Sequence, residues 1–187
     1  MINGINVHVA LLHFPVLNKS GDTIASAVTP MDLHDISRAV RTYGAGRFFV
    51  VTPLEDQQEM VRRVKGHWIN GYGATYNPAR RKAMETVRLA DTLESVKNEI
   101  RSDSGLTPKV VVTSSRTYPG GISFETLRGM LGTDNSHLLV FGTGWGLAPE
   151  VIARADYCLA PIRGQTGYNH LSVRSAATVI LDRLLGC

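Results

Sequence analysis

Leu138-Leu139-Val140-Phe141-Gly142-Thr143-Gly144-Trp145-Gly146-Leu147 is an apolar strand that breaks into a glycine-rich turn. Two similar junctions flank it in the chain. Upstream, residues 109–113, with three consecutive valines, run into Thr113-Ser114-Ser115-Arg116-Thr117-Tyr118-Pro119-Gly120-Gly121. Downstream, residues 157–162 run into Ile162-Arg163-Gly164-Gln165-Thr166-Gly167, then through Tyr168-Asn169-His170-Leu171-Ser172-Val173-Arg174-Ser175-Ala176 into an apolar helix that reaches Leu185. Strands that end in Gly/Ser/Thr turns and lead into helices are the units of a parallel sheet, whose ligands sit outside the carboxyl ends of the strands. Three such ends can wall one small-molecule pocket.

Outward from this block the alternation continues. Residues 7–14 (VHVALLHF) read as a buried strand, and Asn18-Lys19-Ser20-Gly21-Asp22 as a turn. Thr29 caps a helix whose first position is Pro30 and which stops at Gly44. Residues 47–52 form the next strand; Pro53 opens a helix that ends near Trp68, and residues 70–76 are a loop. A short helix over 78–84, a strand over 86–90 and a helix over 92–102 follow, the last with Leu93, Val96 and Ile100 on one face. Helices over 123–131 and 148–153 enclose a strand over 138–141, and the final helix begins near Asn169. The prediction is an α/β fold with a mostly parallel six-stranded sheet flanked by helices on both faces.

Composition sets limits on function. The chain has 187 residues, 43% hydrophobic and 19% charged, which suits one domain with a real core. A formal charge of +4 is mildly basic, and Arg outnumbers Lys, a bias that suits bidentate phosphate contacts. Cys158 and Cys187 stand far apart, so no disulfide framework or zinc set is expected, no metal site is assigned, and a reducing cytoplasm fits best. Met1 opens into a strand-like run without a leader pattern, and no apolar stretch nears the ~20 residues of a membrane span. Gly142-x-Gly144-x-Gly146 is not a dinucleotide fingerprint: Leu147 stands where the third glycine belongs, and the turn falls late in the chain. No Gly-Lys-Ser/Thr follows a strand, which excludes a P-loop.

Several long blocks carry a resemblance: His34-Asp35-Ile36-Ser37-Arg38-Ala39-Val40-Arg41-Thr42-Tyr43-Gly44, Val51-Thr52-Pro53, the stretch 141–147 and the stretch 168–176. Together they resemble SPOUT-class RNA methyltransferases, in a bacterial subgroup found alone or attached to the tRNA guanine-N1 methyltransferase TrmD. The resemblance covers nearly the whole chain and implies a single SPOUT-like domain over 1–187. It further implies a C-terminal trefoil knot, S-adenosylmethionine as cofactor, RNA (tRNA rather than rRNA) as partner, and a homodimer built on the first and last helices. By motif position the cofactor contacts are Thr113, Ser114, Ser115, Phe141, Gly142, Gly144, Leu159, Ile162, Leu171 and Ser172. Arg41 takes the place of the arginine that serves catalysis in the SpoU/TrmH group, with His170 or Asn169 as proton acceptor and Arg38, Arg116 and Arg163 as RNA contacts. That group carries an acidic residue in its second motif, where this chain reads Gly142-Thr143-Gly144-Trp145, and Asn where this chain has His170. Those differences favour a base nitrogen over the ribose 2′-oxygen as target. A non-catalytic RNA-binding or cofactor-sensing module of the same fold is the alternative.

Other residues keep two readings. Arg41 can instead pair with Asp32 or Asp35, and Asn169 can be the last helix's N-cap. His8 reads as structural, whereas His13 and Phe14 can edge the RNA site. Trp145 can pack in the core or cover a ligand, and Asp182 is expected to pair with an Arg. Arg62, Arg63, Arg80, Arg81 and Lys82, with Trp68, Tyr72 and Tyr76, are either solvated helix charges or an RNA-binding patch.

Overall fold

The computed structural model describes residues 6–132 and 134–187. In chain order the elements are β1 (Asn6–Leu12), β2 (Val16–Leu17), β3 (Thr23–Ile24), α1 (Pro30–Thr42), β4 (Phe48–Val51), α2 (Glu55–Ile69), α3 (Tyr72–Tyr76) and α4 (Pro78–Met84). They continue with β5 (Val87–Ala90), α5 (Leu93–Ser104), β6 (Lys109–Val112), α6 (Phe124–Met130), β7 (Ser136–Gly142), α7 (Pro149–Ala153), β8 (Tyr157–Cys158) and α8 (Val173–Leu185). Six strands form one sheet in the order β5-β4-β1-β7-β6-β8, and every pairing in it is parallel. β2 and β3 make a separate antiparallel hairpin.

Side chains on a strand alternate between faces, so β1 feeds two cores. Val7, Val9 and Leu11 pack with Leu33, Ile36 and Val40 of α1, Val61 of α2, Leu127 of α6 and Leu181 of α8. Ala10 and Leu12 pack with Val96 and Ile100 of α5 and Val151 of α7 on the opposite face. Burying one such Leu, Ile or Val stabilises the fold by about 1.5–3 kcal/mol. The near-continuous apolar strands thus follow from a sheet covered on both sides.

Four local expectations change. The segment 70–76 was expected as a loop but contains α3. Gly73 there lies under the Trp68 ring, where a Cβ would stand 2.7 Å from a ring carbon, so tertiary contact selects the glycine against its helix propensity. The last helix begins at Val173, not near Asn169, because the Ser172 side chain accepts the Ser175 N–H as N-cap. β8 ends at Cys158, after which the chain pairs with Ile122. The hairpin β2–β3 around the expected turn at 18–22 is too short for period-2 patterning to reveal.

Candidate active site

The loops that leave β1, β6, β7 and β8 converge at the carboxyl edge of the sheet, where the strand order reverses. They enclose a cavity of about 850 Å³. Its walls come from Thr113, Ser114, Ser115 and Arg116 after β6, residues 142–147 after β7, and Ile162 and residues 169–174 after β8. Ser26, Thr29 and Asp32 add a wall at the start of α1. A volume of this size lies in the ordinary range for small-molecule pockets, about 300–1,000 Å³.

Hydrogen bonds fix the loops to one another. The β7 turn is clasped by the hairpin: Trp145 N donates to Leu17 O and Leu17 N donates to Gly146 O, each at 2.9 Å. Gly144 has φ +59°, and a Cβ there would stand 2.7 Å from Leu17 O, so both backbone angle and space demand glycine. Asn169 Nδ2 donates to Ser115 O at 2.9 Å, and Arg163 Nη2 donates to Thr117 Oγ1 at 2.9 Å, which ties the β8 loop to the β6 loop. Within the wall, the Ser26 and Thr143 hydroxyls lie 2.5 Å apart, and Ser26 Oγ is 3.2 Å from His13 Nδ1.

One charge pair anchors the cavity. Asp32, with 6% of its side chain exposed, receives Arg174 Nη1 at 3.1 Å and the Thr29 hydroxyl at 2.8 Å. Arg174 Nε also lies 3.3 Å from Asp35 Oδ2. The arginine stands in the first turn of α8 and both carboxylates in α1, so the pair joins two elements far apart in sequence.

Most residues expected at the cofactor site line this cavity: Thr113, Ser114, Ser115, Phe141, Gly142, Gly144, Ile162, Leu171 and Ser172. Asn169, His170 and Arg116 join them. Leu159 does not, because its side chain is buried in the core behind the sheet edge. Arg163 is taken up by Thr117 outside the cavity wall. Arg41 and Arg38 line a different groove, toward the carboxyl end of α1, whereas the cavity meets that helix at Asp32. Asp32 and Asp35 pair with Arg174, not Arg41. Asn169 is a loop-to-loop donor, not the helix cap. Trp145 is 55% exposed at the cavity mouth, which decides against core packing.

His13 is fully buried and cannot meet RNA; burial pushes its pKa below the usual imidazole value. His8 is structural: its Nδ1 accepts Arg47 N–H at 3.1 Å and its Nε2 pairs with Asn6 Oδ1 at 2.7 Å. Burial first, and the Arg47 charge second, lower its pKa to about 4. Asp182 accepts the Tyr43 hydroxyl at 3.1 Å in place of an arginine. Asp32, Thr29, Ser26 and Arg174 are cavity residues that the sequence reading did not assign. Thr29 and Asp32 look from sequence like an ordinary capping pair, and nothing local marks their second contact.

The fold and the cavity define a parallel α/β protein that takes a small molecule at the carboxyl edge of its sheet, between loops that present both apolar and hydroxyl groups. Residues 6–186 match the model of a family described as SAM-dependent RNA methyltransferase, and the chain belongs to that family. It is 44% identical over 183 residues to a tRNA (guanine-N(1)-)-methyltransferase of Oleidesulfovibrio alaskensis, covering 98% of this chain and 43% of that relative. The chain therefore spans less than half of that relative. A protein of Aquifex aeolicus is 42% identical over 185 residues, with 98% of this chain and 90% of the relative covered. Among solved structures, the SpoU methyltransferase AviRb of Streptomyces viridochromogenes, in complex with AdoMet, superposes with TM-score 0.58 at 15% identity. That match covers 99% of this chain and 61% of that one, and shows a shared fold.

The family's cofactor is S-adenosylmethionine, and the cavity chemistry fits it. Phe141, Leu147, Ile162, Leu171 and Ile180 offer an apolar bed for a purine. Hydroxyls of Ser26, Thr113, Ser114, Thr143 and Ser172 and main-chain groups at Gly142 and Gly144 offer ribose partners. Among the described residues there is no cluster of His, Cys, Asp or Glu suited to a metal ion.

Proposed function

We propose that this chain methylates RNA, with tRNA as substrate, and that it holds S-adenosylmethionine in the cavity described above. The single observation that carries the reading is the convergence of the β6, β7 and β8 loops on one cavity, with Asn169 and His170 at its rim. The bound cofactor supplies an activated methyl group on sulfur. Thr113, Ser114, Ser115, Phe141, Gly142, Gly144, Ile162, Leu171 and Ser172 hold and orient it. In-line displacement requires alignment above all, so walls tied by Asn169 and by the Leu17 clasp reduce the motion that would misplace the methyl.

His170 stands exposed at the mouth, 5.9 Å ring to ring from Tyr168. Its imidazole is the proposed acceptor of the proton lost by the nucleophile, and Trp145 and Tyr168 frame the opening where a planar base enters. A base nitrogen is the proposed target, because the β7 turn carries no carboxylate. Arg116 on the cavity wall contacts RNA. The tRNA assignment follows the tRNA methyltransferase relative, of which this chain covers a part.

We further infer that residues 1–187 form one SPOUT-like domain whose C-terminal segment is threaded. Leu159 N donates to Val112 O of β6, while Ile122 N donates to Cys158 O and Ala160 N to Ile122 O, each at 2.9 Å. Residues 158–160 thus lie between β6 and Ile122, a placement that supports the threading. A homodimer is proposed on the outer faces of α1 and α8, where Met31 is exposed. Cytoplasmic location is proposed as well; no helix among the described residues is long and apolar enough to cross a membrane.

The test is transfer of labelled methyl from S-adenosylmethionine to hypomethylated tRNA. Label in tRNA supports the proposal. Tight S-adenosylhomocysteine binding with every RNA pool unlabelled assigns the chain to a non-catalytic module instead. Sedimentation showing only monomer at micromolar concentration would remove the dimer.

A further inference from the structure

We propose that Arg38, Arg41 and Arg80 form a phosphate-binding groove, separate from the cofactor cavity, that grips the backbone of the RNA substrate. The inference rests on the RNA-methylating role proposed above and adds a second point of attachment to it. The groove has a volume of about 290 Å³, lies between α1 and α4, and is also lined by Thr42 and Asn77. Arg38 and Arg41 stand three residues apart on α1, which puts them on one helix face. Arg80 reaches the groove from α4 across Trp68, its guanidinium 4.7 Å from the ring centroid. Trp68 is itself held edge-on by His34 at 5.3 Å and His67 at 5.0 Å. The position of Arg80 is therefore built by packing.

The charges in this groove are unbalanced. Several other arginines are matched with carboxylates: Arg47 with Glu99 and Asp103, Arg62 with Glu55 and Glu59, Arg81 with Glu85, Arg174 with Asp32 and Asp35. Among the described residues no carboxylate lies within ion-pair distance of Arg38, Arg41 or Arg80. The nearest candidates are engaged: Asp35, one turn before Arg38, turns to Arg174, and Glu85 to Arg81. Arg80 Nε is buried without a hydrogen-bond partner. Three like charges around one hollow, none of them matched by a carboxylate, are the arrangement an anion completes. Guanidinium groups match phosphate oxygens in paired hydrogen bonds.

Adjacent features favour a polynucleotide over a lone anion. Tyr72 and Tyr76 of α3 stack at 5.8 Å and 27° and are both largely exposed. Tyr76 directly precedes Asn77 of the groove, so an aromatic face for bases borders a grip for phosphate. The cavity meets α1 at Asp32 and the groove begins at Arg38, about 9 Å along the axis at 1.5 Å per residue. The basic patch suggested by sequence is thereby divided: Arg62 and Arg81 are neutralised by acids, and Arg80 joins the α1 arginines.

The experiment compares binding of an unfractionated tRNA pool across a salt series for wild type, Arg38→Gln/Arg41→Gln and the charge-matched control Lys19→Gln/Arg101→Gln. Arg80→Met, which keeps an apolar stem over Trp68, is a third variant. S-adenosylhomocysteine binding by each protein reports folding and the cavity. The expected result is an affinity loss of about 10-fold at 0.1 M salt for Arg38→Gln/Arg41→Gln, with the salt slope smaller by about 1.4–1.8 for the two lost phosphate contacts. The control should change less than about twofold, and cofactor affinity should hold in all. Equal losses in groove and control variants, or no loss in either, would overturn the groove. If the double variant loses cofactor binding through misfolding, Arg38→Gln and Arg41→Gln taken singly decide by the same criteria. Wild type that neither binds nor methylates tRNA refutes the parent reading instead, a result distinguishable from RNA binding that is indifferent to the groove.

Discussion

Arg174 reaches across 142 residues of chain to place Nη1 3.1 Å from the buried Oδ1 of Asp32. The pair fixes the start of α8 against the start of α1 and so sets where the intervening loop, with Asn169, His170 and Leu171, closes over the cavity. Arg174→Ala strips the partner from a carboxylate that is almost wholly buried. The expected cost is about 3 kcal/mol, the lower end for a broken buried pair because the arginine itself is partly exposed. Denaturant unfolding measures it, and weaker S-adenosylhomocysteine binding should accompany it. An unchanged midpoint and unchanged binding would show that the pair does not position the loop.

Gly144→Ala forces a non-glycine residue to φ +59° with its Cβ against Leu17 O. The left-handed angle alone costs about 1–2 kcal/mol, and backbone cannot yield as a side chain can. Thermal unfolding should register the loss. Cofactor affinity should fall more than for Gly164→Ala, since Gly164 has ordinary φ and open space around its Cβ position.

Asn169 and His170 are neighbours with different expected signatures. Asn169→Ala removes the bond to Ser115 O and loosens two cavity walls, so the dissociation constant for S-adenosylhomocysteine should rise. His170→Ala should leave that constant within about twofold and lower the methyl-transfer rate about 10²–10⁴-fold, the usual range for a lost general base. A His170→Ala enzyme that keeps full turnover removes His170 from the chemistry.

Stability should fall in mild acid. His8 takes up a proton near pH 6.5 when unfolded, but when folded only near pH 4. Between those values the unfolded state binds more protons, so stability declines as pH drops through the window. The full effect of that one group is about 3 kcal/mol. Burial lowers His13 and His137 as well, in the same sense. Guanidinium unfolding at pH 7 and pH 4.5 tests this, and His8→Gln should flatten the profile.

The glycine turn after Phe141, the valine strand at 110–112 and the Thr29-Pro30 helix start were readable because their causes are local: apolar runs, capping hydroxyls and glycines at turns. The loop expected over 70–76 failed for the opposite reason, since the small size of Gly73 serves contact between α3 and Trp68. The three strand-end turns were legible as ligand-facing because they lie at the carboxyl edge of a parallel sheet, while the individual cavity residues on them were implied by the family resemblance. The sequence by itself thus determined the alternation of strands and helices, the burial of the strands and the loops that face a ligand. Tertiary structure alone decided that Asp32 meets Arg174, that Arg41 joins Arg80 and not the cavity, and that residues 158–160 run between β6 and Ile122. Those contacts join residues tens to more than a hundred positions apart, and no short-range periodicity carries information about which distant charges come within hydrogen-bonding reach.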